Sequence, residues 1–535
     1  MPIDRIPFPE VPQFSQRDVA YATGADDLKP FYKYPVTLKA FGQVMSDKAK
    51  DNTDRNLLVK ELSEQYAQLK HTEVALPQVQ SLLEPNTFTV ITAHQPSLFT
   101  GPLYFIYKIC SAINLSRRLN EQYPKRHIVP VFVVGGEDHD FAEINHARIK
   151  GQMIEWGKGE QVPGVGGSVG ALSTTSLAPA LSALKELLGG EYTPWNIYER
   201  IEKAYTEHAT YGAATVALVH DLFKGTGLVV ADMSRPAFKT AFVPLMQREL
   251  LEQLSHGYVE KAQAALTAAG YAGQAHARDI NLFYLSPGRR DRIIAANGHY
   301  GVLDTDIIFS EAELKQALQE QPERFSPNVV MRPLFQELIF PNLAYIGGGG
   351  ELAYWLERKE QFAAFGLNFP MLIRRNSVMW IDAASQKKLD KFGLEYRELF
   401  RDSDLIIRDY VAQHSPNDLS LATEWEQLTS LFASLAEKAK AIDPTLEKAA
   451  LAEGTRQTKI IQQFESRLRR IEKKKYADAM DTIRDLRAIL FPGRSLQERK
   501  DNFLNIYLDM GEEMFSLLID ALDPLQEGMV IVRPD

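Results

Sequence analysis

Runs of consecutive apolar residues alternate along this chain with stretches whose apolar positions recur every three or four residues. FTVITA (88–93) has the first pattern and reads as a buried strand. PLYFIYKICSAINLSRRL (102–119) has the second and places Ile106, Ile109, Cys110 and Ile113 on one helical face. IVPVFVV (128–134) is the next strand, and GLVVAD (227–232) followed by a helix after Arg235 repeats the unit. Strand, helix, strand with near-continuous apolar strands predicts a parallel sheet. The fold class is therefore α/β, with a doubly wound core.

Other stretches fit that core differently. Residues 1–35 are rich in Pro and aromatics without periodicity and read as an extended arm, and residues 36–84 read as helical. The Gly-rich VPGVGGSVGALS opens a first insertion (151–225), and helices mixed with short strands such as INLFYL and DRIIAA form a second (245–328). The expected division is 1–150 core, 151–225 insertion one, 226–244 core strand and helix, 245–328 insertion two, and 329–388 the last part of the core. A helical coiled-coil domain (389–500) and a C-terminal return to the core (501–535) complete it. Trp425, Leu428, Phe432, Leu435, Ala439 and Ile442 follow spacings of three and four, as a coiled-coil seam does. Asp443-Pro444 restarts a helix, with Asp as N-cap and Pro at the first helical position. Ile461, Phe464, Leu468 and Ile471 mark the second seam, so an antiparallel hairpin is expected. The terminal GMVIVRP reads as a strand returning to the core sheet.

Composition narrows the class. The 535 residues carry 45% hydrophobic and 24% charged side chains, ordinary for a globular protein able to bury a large core. Sixty basic against 69 acidic residues, a net charge of −9, argue against a nucleic-acid binder. A single cysteine, Cys110, forms no internal disulfide and fits a reducing compartment; on the apolar helix face it reads as a structural thiol. With no signal-peptide pattern and no apolar run of about 18 residues, the expectation is a cytoplasmic protein without a membrane partner.

Three polar blocks carry the chemistry. HQPSLFTGP follows the first strand, at the carboxyl end where open α/β sheets bind ligands. His94 could stabilise charge there, Gln95 and Thr100 could hydrogen-bond, and Lys108 lies farther along the helix; the plain alternative is a turn with a surface His. GGEDHDFAEINH (135–146) crowds Glu137, Asp138, His139, Asp140, Glu143 and His146 after the second strand. It reads as an acid/base or amine-binding site, as a metal site without a recognisable ligand spacing, or as a solvated acidic turn. RPLFQELIFPNLAYIGGGGELAYW (332–355) brings Arg332, then four glycines that allow close backbone approach and positive φ, then Glu351 opening a helix. It is neither a Walker A loop nor a strict dinucleotide fingerprint. LIRRNS adds Arg374, Arg375 and Asn376.

Together these blocks resemble the bacillithiol synthase family of cysteine-adding ligases. The resemblance runs end to end, through HQPSLFTGPLYFIYK, PVFVVGGEDHDFAEINH, LFKGTGLVV, INLFY, ERFSPNVVMRPLFQELIFPNLAYIGGGGELAYW and LQER. It implies a Rossmann-like core with two connecting-peptide insertions, a coiled-coil domain contributing to a homodimer, and amide formation between L-cysteine and the amine of glucosaminyl malate. The expected activation of the cysteine carboxylate uses ATP (or ADP) with Mg2+. On that basis Asp138, His139, Asp140 and His94 are the expected catalytic residues. Gln95, Thr100, Gly101, Tyr104, Lys108, Arg332, Glu337, Asn342, Glu351, Arg374 and Asn376 are the expected substrate contacts, and Gly347, Gly348, Gly349 and Gly350 the nucleotide contacts. No resident metal is expected. Two further classes stay open: a metal-dependent hydrolase or deacetylase built on EDHD, and a non-catalytic coiled-coil scaffold.

Overall fold

The computed structural model describes residues 2–189 and 193–534. Its centre is a five-stranded, fully parallel sheet: β1 (Thr87–His94), β2 (His127–Val134), β3 (Val229–Asp232), β4 (Asn342–Gly347) and β5 (Met371–Arg374), in the spatial order β5-β4-β1-β2-β3. Along β2, Val129, Val131 and Val133 enter one apolar core while Phe132 and Val134 enter another. Both faces are thus covered, which is why the strands are apolar without alternation.

Helix α1 (Tyr104–Gln122) joins β1 to β2 and packs Phe105, Ile106, Ile109, Cys110 and Ile113 against the sheet. It stops at Tyr123, whose successor is a proline that disfavours helical geometry before it. After β3 the chain runs through insertion two, an antiparallel sheet that includes Leu282–Ser286, Arg289–Ala296 and Phe325–Pro327. It re-enters the core through α2 (Arg332–Ile339), β4, α3 (Gly349–Trp355) and β5.

Two expectations change. The first 35 residues are not merely extended. They form a strand, Ile3–Ile6, and a helix, Gln16–Ala22, that is capped by Ser15. The terminal strand Met529–Val532 does not join the core sheet. It lies between Ile3–Ile6 and Val378–Trp380 in a separate three-stranded sheet, antiparallel to the first and parallel to the second.

Residues Met1–Trp380 and Ser495–Arg533 form one compact unit, and Ile381–Arg494 a second. The second holds the helical hairpin α4 (Ala422–Ile442) and α5 (Pro444–Lys473), turned at Asp443, whose carboxylate accepts the Thr445 N–H at 2.7 Å. Gly454 packs against the Phe432 side chain and Ala436 is buried. The seam differs in part from the spacing: Leu428, Phe432, Ala439, Ile461 and Leu468 are half-buried, whereas Trp425, Leu435, Ile442, Phe464 and Ile471 are exposed. No helix among the described residues is long and apolar enough to cross a membrane.

Candidate functional site

The strand order reverses between β1 and β4, so their outgoing connections part and leave a crevice at the carboxyl ends of the strands. A cleft of about 830 Å³ opens there, walled by the exits of β1, β2 and β4 and by insertion two.

At the β1 exit the chain makes a tight corner in which Phe99, Thr100 and Gly101 all have positive φ. Asn502 holds it by donating to the carbonyls of Phe99 and Gly101, both at 2.7 Å. Thr100 and Gly101 are buried in this corner and do not line the cleft; His94, Gln95 and Tyr104 do. His94 Nδ1 lies 2.9 Å from the Gln95 carbonyl, which can only accept, so Nδ1 carries the hydrogen and Nε2 accepts from the Tyr104 hydroxyl at 3.1 Å. Burial, reinforced by the Lys108 ammonium, lowers the His94 pKa to about 4. The imidazole is neutral at pH 7 and fixes Tyr104.

Lys108 is fully buried beneath them. Its ammonium donates to the Ala93 carbonyl at 2.6 Å and meets Glu351 at 2.7 Å. Burial alone would raise the Glu351 pKa, but Lys108 and the Gly348 N–H bring it down to about 2. Tyr345 donates to the same carboxylate at 2.9 Å. On the other side, Arg332 donates to the Tyr354 hydroxyl at 3.0 Å and lines the cleft.

The acidic block separates into individual roles. Glu137 lines the cleft but is tied to the fully buried Lys239 at 2.6 Å and to Ser326 at 2.9 Å. Asp138 accepts from the Gln95 amide and the His139 N–H and lies 3.7 Å from Arg290. Burial pushes its pKa up, but His139, Arg290 and Gln95 outweigh that and hold it well below the usual carboxylate range. His139 accepts from Arg290 at 3.0 Å and, like Asp140, is exposed and outside the cleft lining. Asp140 caps the short helix Phe141–Ile144 through the Glu143 N–H. His146 pairs with Asn145. Among the described residues no three His, Cys, Asp or Glu side chains converge as metal ligands, so the hydrolase reading gains no support. The turn is braced by the Gly-rich stretch of insertion one: Val169 N–H donates to Asp138 O and Gly170 N–H to Gly136 O, both at 2.7 Å. A Cβ at Gly170 would lie 2.9 Å from Gly136 Cα, which explains glycine there.

None of the four consecutive glycines has positive φ. Their requirement is close approach. A Cβ on Gly349 would collide with the Asp18 carboxylate, while one on Gly350 would meet nothing within 4 Å. Gly348, Gly349 and Gly350 line the cleft; Gly347, the last residue of β4, does not.

Four other candidates lie outside the lining. Arg374 is buried, paired bidentately with Asp18 at 2.8 and 3.0 Å and covered by the rings of Phe8 and Phe14. Asn376 donates to the Asp523 carbonyl. Glu337 and Asn342 bond each other at 2.7 Å, and Asn342 begins β4, at the end of the sheet opposite the cleft. Burial raises the Glu337 pKa to about 7.

Residues that the sequence reading did not assign to the site complete it. Arg375, not Arg374, faces the cleft, locked by a bidentate pair with buried Glu498 at 2.8 and 2.9 Å. Arg278, Arg292 and Arg499 line it with no side-chain hydrogen bond or ion pair to the protein among the described residues. Strand alternation puts Arg290 and Arg292 on one face of Arg289–Ala296, the only sequence signal that could have found them.

Comparison with known proteins agrees with this architecture. Residues 1–376 match the family described as Bacillithiol biosynthesis BshC, N-terminal Rossmann-like domain, and residues 378–534 its C-terminal coiled-coil domain. Proteins of Christiangramia forsetii and Flavobacterium psychrophilum, each named "Putative cysteine ligase BshC", are 38% identical. The first alignment covers 99% of both chains and the second 100% of both. A Bacillus mycoides protein of the same name is 28% identical over 90% of both chains. With its cleft at the switch point of a Rossmann-like sheet and both domains matched, the chain belongs to the BshC family of bacillithiol biosynthesis.

Proposed function

We propose that this protein joins the carboxylate of L-cysteine to the amine of glucosaminyl malate, with ATP and Mg2+ activating the carboxylate. The names of the relatives support cysteine ligation. The observation that carries the reading further is the charge left over in the cleft. Among the described residues, the Arg278, Arg292 and Arg499 side chains have no hydrogen-bond or ion-pair partner, and Arg332 is held by the hydroxyls of Tyr354 and Tyr345. Free guanidiniums in a concave site suit carboxylates and phosphates, which they can pair bidentately. A malyl dicarboxylate and a nucleotide phosphate are such groups.

In this reading the open face beside Gly348 and Gly350 takes the nucleotide, and the arginines of insertion two take the malyl end. ATP converts the carboxylate into an acyl phosphate or acyl adenylate, which the amine attacks. His94 holds Tyr104 in place, and the Lys108–Glu351 pair fixes α1 against α3. The test is a mass-spectrometric assay with L-cysteine, glucosaminyl malate, Mg2+ and ATP, run beside one lacking ATP. Amide product only with ATP is the expected result, and AMP or ADP appearing in step identifies the activated species. Folded protein that forms no product while ATP stays intact would count against the reading.

A further inference from the structure

Four carboxylates line the cleft: Glu137, Asp138, Glu143 and Glu351. Three of them are already neutralised by the protein. Glu137 meets Lys239 at 2.6 Å, Glu351 meets Lys108 at 2.7 Å, and Asp138 faces Arg290 and accepts from Gln95. Glu143 differs: it has no ion-pair partner among the described residues. Its position is nonetheless built. Asp140 caps the short helix that carries it by accepting the Glu143 N–H at 3.2 Å. The Gln95 amide, anchored on Asp138, also acts on the Glu143 carboxylate, holding down its pKa.

Amide formation needs a group to take a proton from the attacking nitrogen. The three paired acids are poor at this, since accepting a proton would strip a buried lysine or arginine of its counter-charge. His94 is poor as well, because Nε2 already accepts from Tyr104 and Nδ1 already donates to the Gln95 carbonyl. Lys108 and Lys239 are buried and paired. The remaining titratable groups free to act are Glu143 and His276, the latter on the insertion-two wall beside Arg278.

We propose that Glu143 is the catalytic residue that receives the acceptor amine and takes its proton, an assignment that rests on the ligase reading above. Nitrogen attacks the activated cysteinyl carbon and the C–N bond forms. The C–O bond to the phosphoryl or adenylyl group breaks, its electron pair leaving on that oxygen. The arriving ammonium first gives one proton to water and becomes the nucleophilic amine; the second proton passes from nitrogen to a Glu143 carboxylate oxygen as the C–N bond forms. The surroundings favour this direction. Glu143 is exposed as a residue, but partial desolvation of its carboxylate first, then the neighbouring Asp140 and Asp138 carboxylates, raise its pKa against the opposing effect of Gln95 and make it a stronger base than an ordinary glutamate. Among the described residues, an ammonium arriving here meets the one cleft carboxylate not already paired with a basic side chain, while Arg278 and Arg292 are supplied by insertion two to hold the acidic part of the same molecule.

The experiment compares wild type, Glu143→Gln, Glu143→Asp and His276→Gln in the full chain. Two reactions are read: amide formation, and single-turnover ATP consumption with cysteine and no acceptor. Glu143→Gln should lower kcat for amide formation by about 10²- to 10⁴-fold, the range for loss of a general base. Its ATP consumption should stay within about threefold of wild type, since that half-reaction does not use the amine. Glu143→Asp should recover part of the loss. Amide formation that survives in Glu143→Gln and collapses in His276→Gln would overturn the assignment. So would equal loss of both half-reactions. A binding measurement separates this proposal from the ligase reading. By calorimetry, glucosaminyl malate should bind Glu143→Gln about tenfold more weakly than wild type. The analogue with hydroxyl in place of amine should bind the two proteins alike. That pattern supports the amine contact even if wild type forms no amide. Equal weakening of both ligands, or of neither, rejects it.

Discussion

At the residue scale, the cleft sorts its charged side chains into those the fold has used and those it has left free. His94 belongs to the first group, and its pH behaviour follows. Its folded pKa of about 4 lies below the ordinary value of 6.5, so the unfolded chain takes up the proton first as pH falls. The contribution to stability is fully present above pH 6.5 and is lost as the pH falls towards 4. With partial exposure allowed for, it should be roughly 2 kcal/mol. His94→Gln should flatten the stability–pH curve in that window, and the wild-type imidazole should titrate near pH 4 by NMR. A titration above pH 6 would contradict the tautomer and contacts described. His94, Gln95 and Tyr104 were legible because they stand at the exit of a recognisable strand. Arg375 was not: adjacent residues at a strand end turn to opposite sides, and sequence does not say which of Arg374 and Arg375 faces inward. Arg278, Arg292 and Arg499 come from segments far from the core strands in sequence, brought to the cleft only by tertiary packing.

At the element scale, the glycine run separates packing from ligand space. Gly349 is forced by Asp18, through which the helix Gln16–Ala22 is tied to Arg374. Gly350 faces open space. Gly349→Ala should therefore destabilise by about 1–3 kcal/mol in chemical denaturation, as overpacking does. Gly350→Ala should stay folded with little change in stability and raise the KM for ATP several-fold if the nucleotide lies there. An unchanged KM would move the nucleotide elsewhere in the cleft. The strand–helix–strand rhythm was readable because strands covered on both faces must be apolar throughout. The N-terminal segment was misread because its seven-residue helix is held by the Asp18–Arg374 pair and by Tyr21, which is buried and donates to the Leu372 carbonyl, rather than by an apolar periodicity.

At the scale of the whole molecule, the hairpin of the second unit leaves Leu431, Leu435, Ile442, Ile460, Phe464 and Ile471 exposed. Heptad spacing marked several of these as seam positions, but two helices have only one mutual seam and cannot bury every apolar row they carry. The expected homodimer would cover the others. Leu435→Glu combined with Phe464→Glu should give a folded monomer by sedimentation, and an unchanged mass would show that other surfaces associate. The sheet of Ile3–Ile6, Met529–Val532 and Val378–Trp380 has a consequence of a different kind. Its middle strand is the last of the three to be synthesised. Until it emerges from the ribosome, the other two are open edges without a neighbour, so this sheet forms only after translation has passed the helical hairpin. The order of synthesis, rather than final stability, then sets when the chain stops being a target for chaperones. A stop before Met529 should leave it such a target permanently.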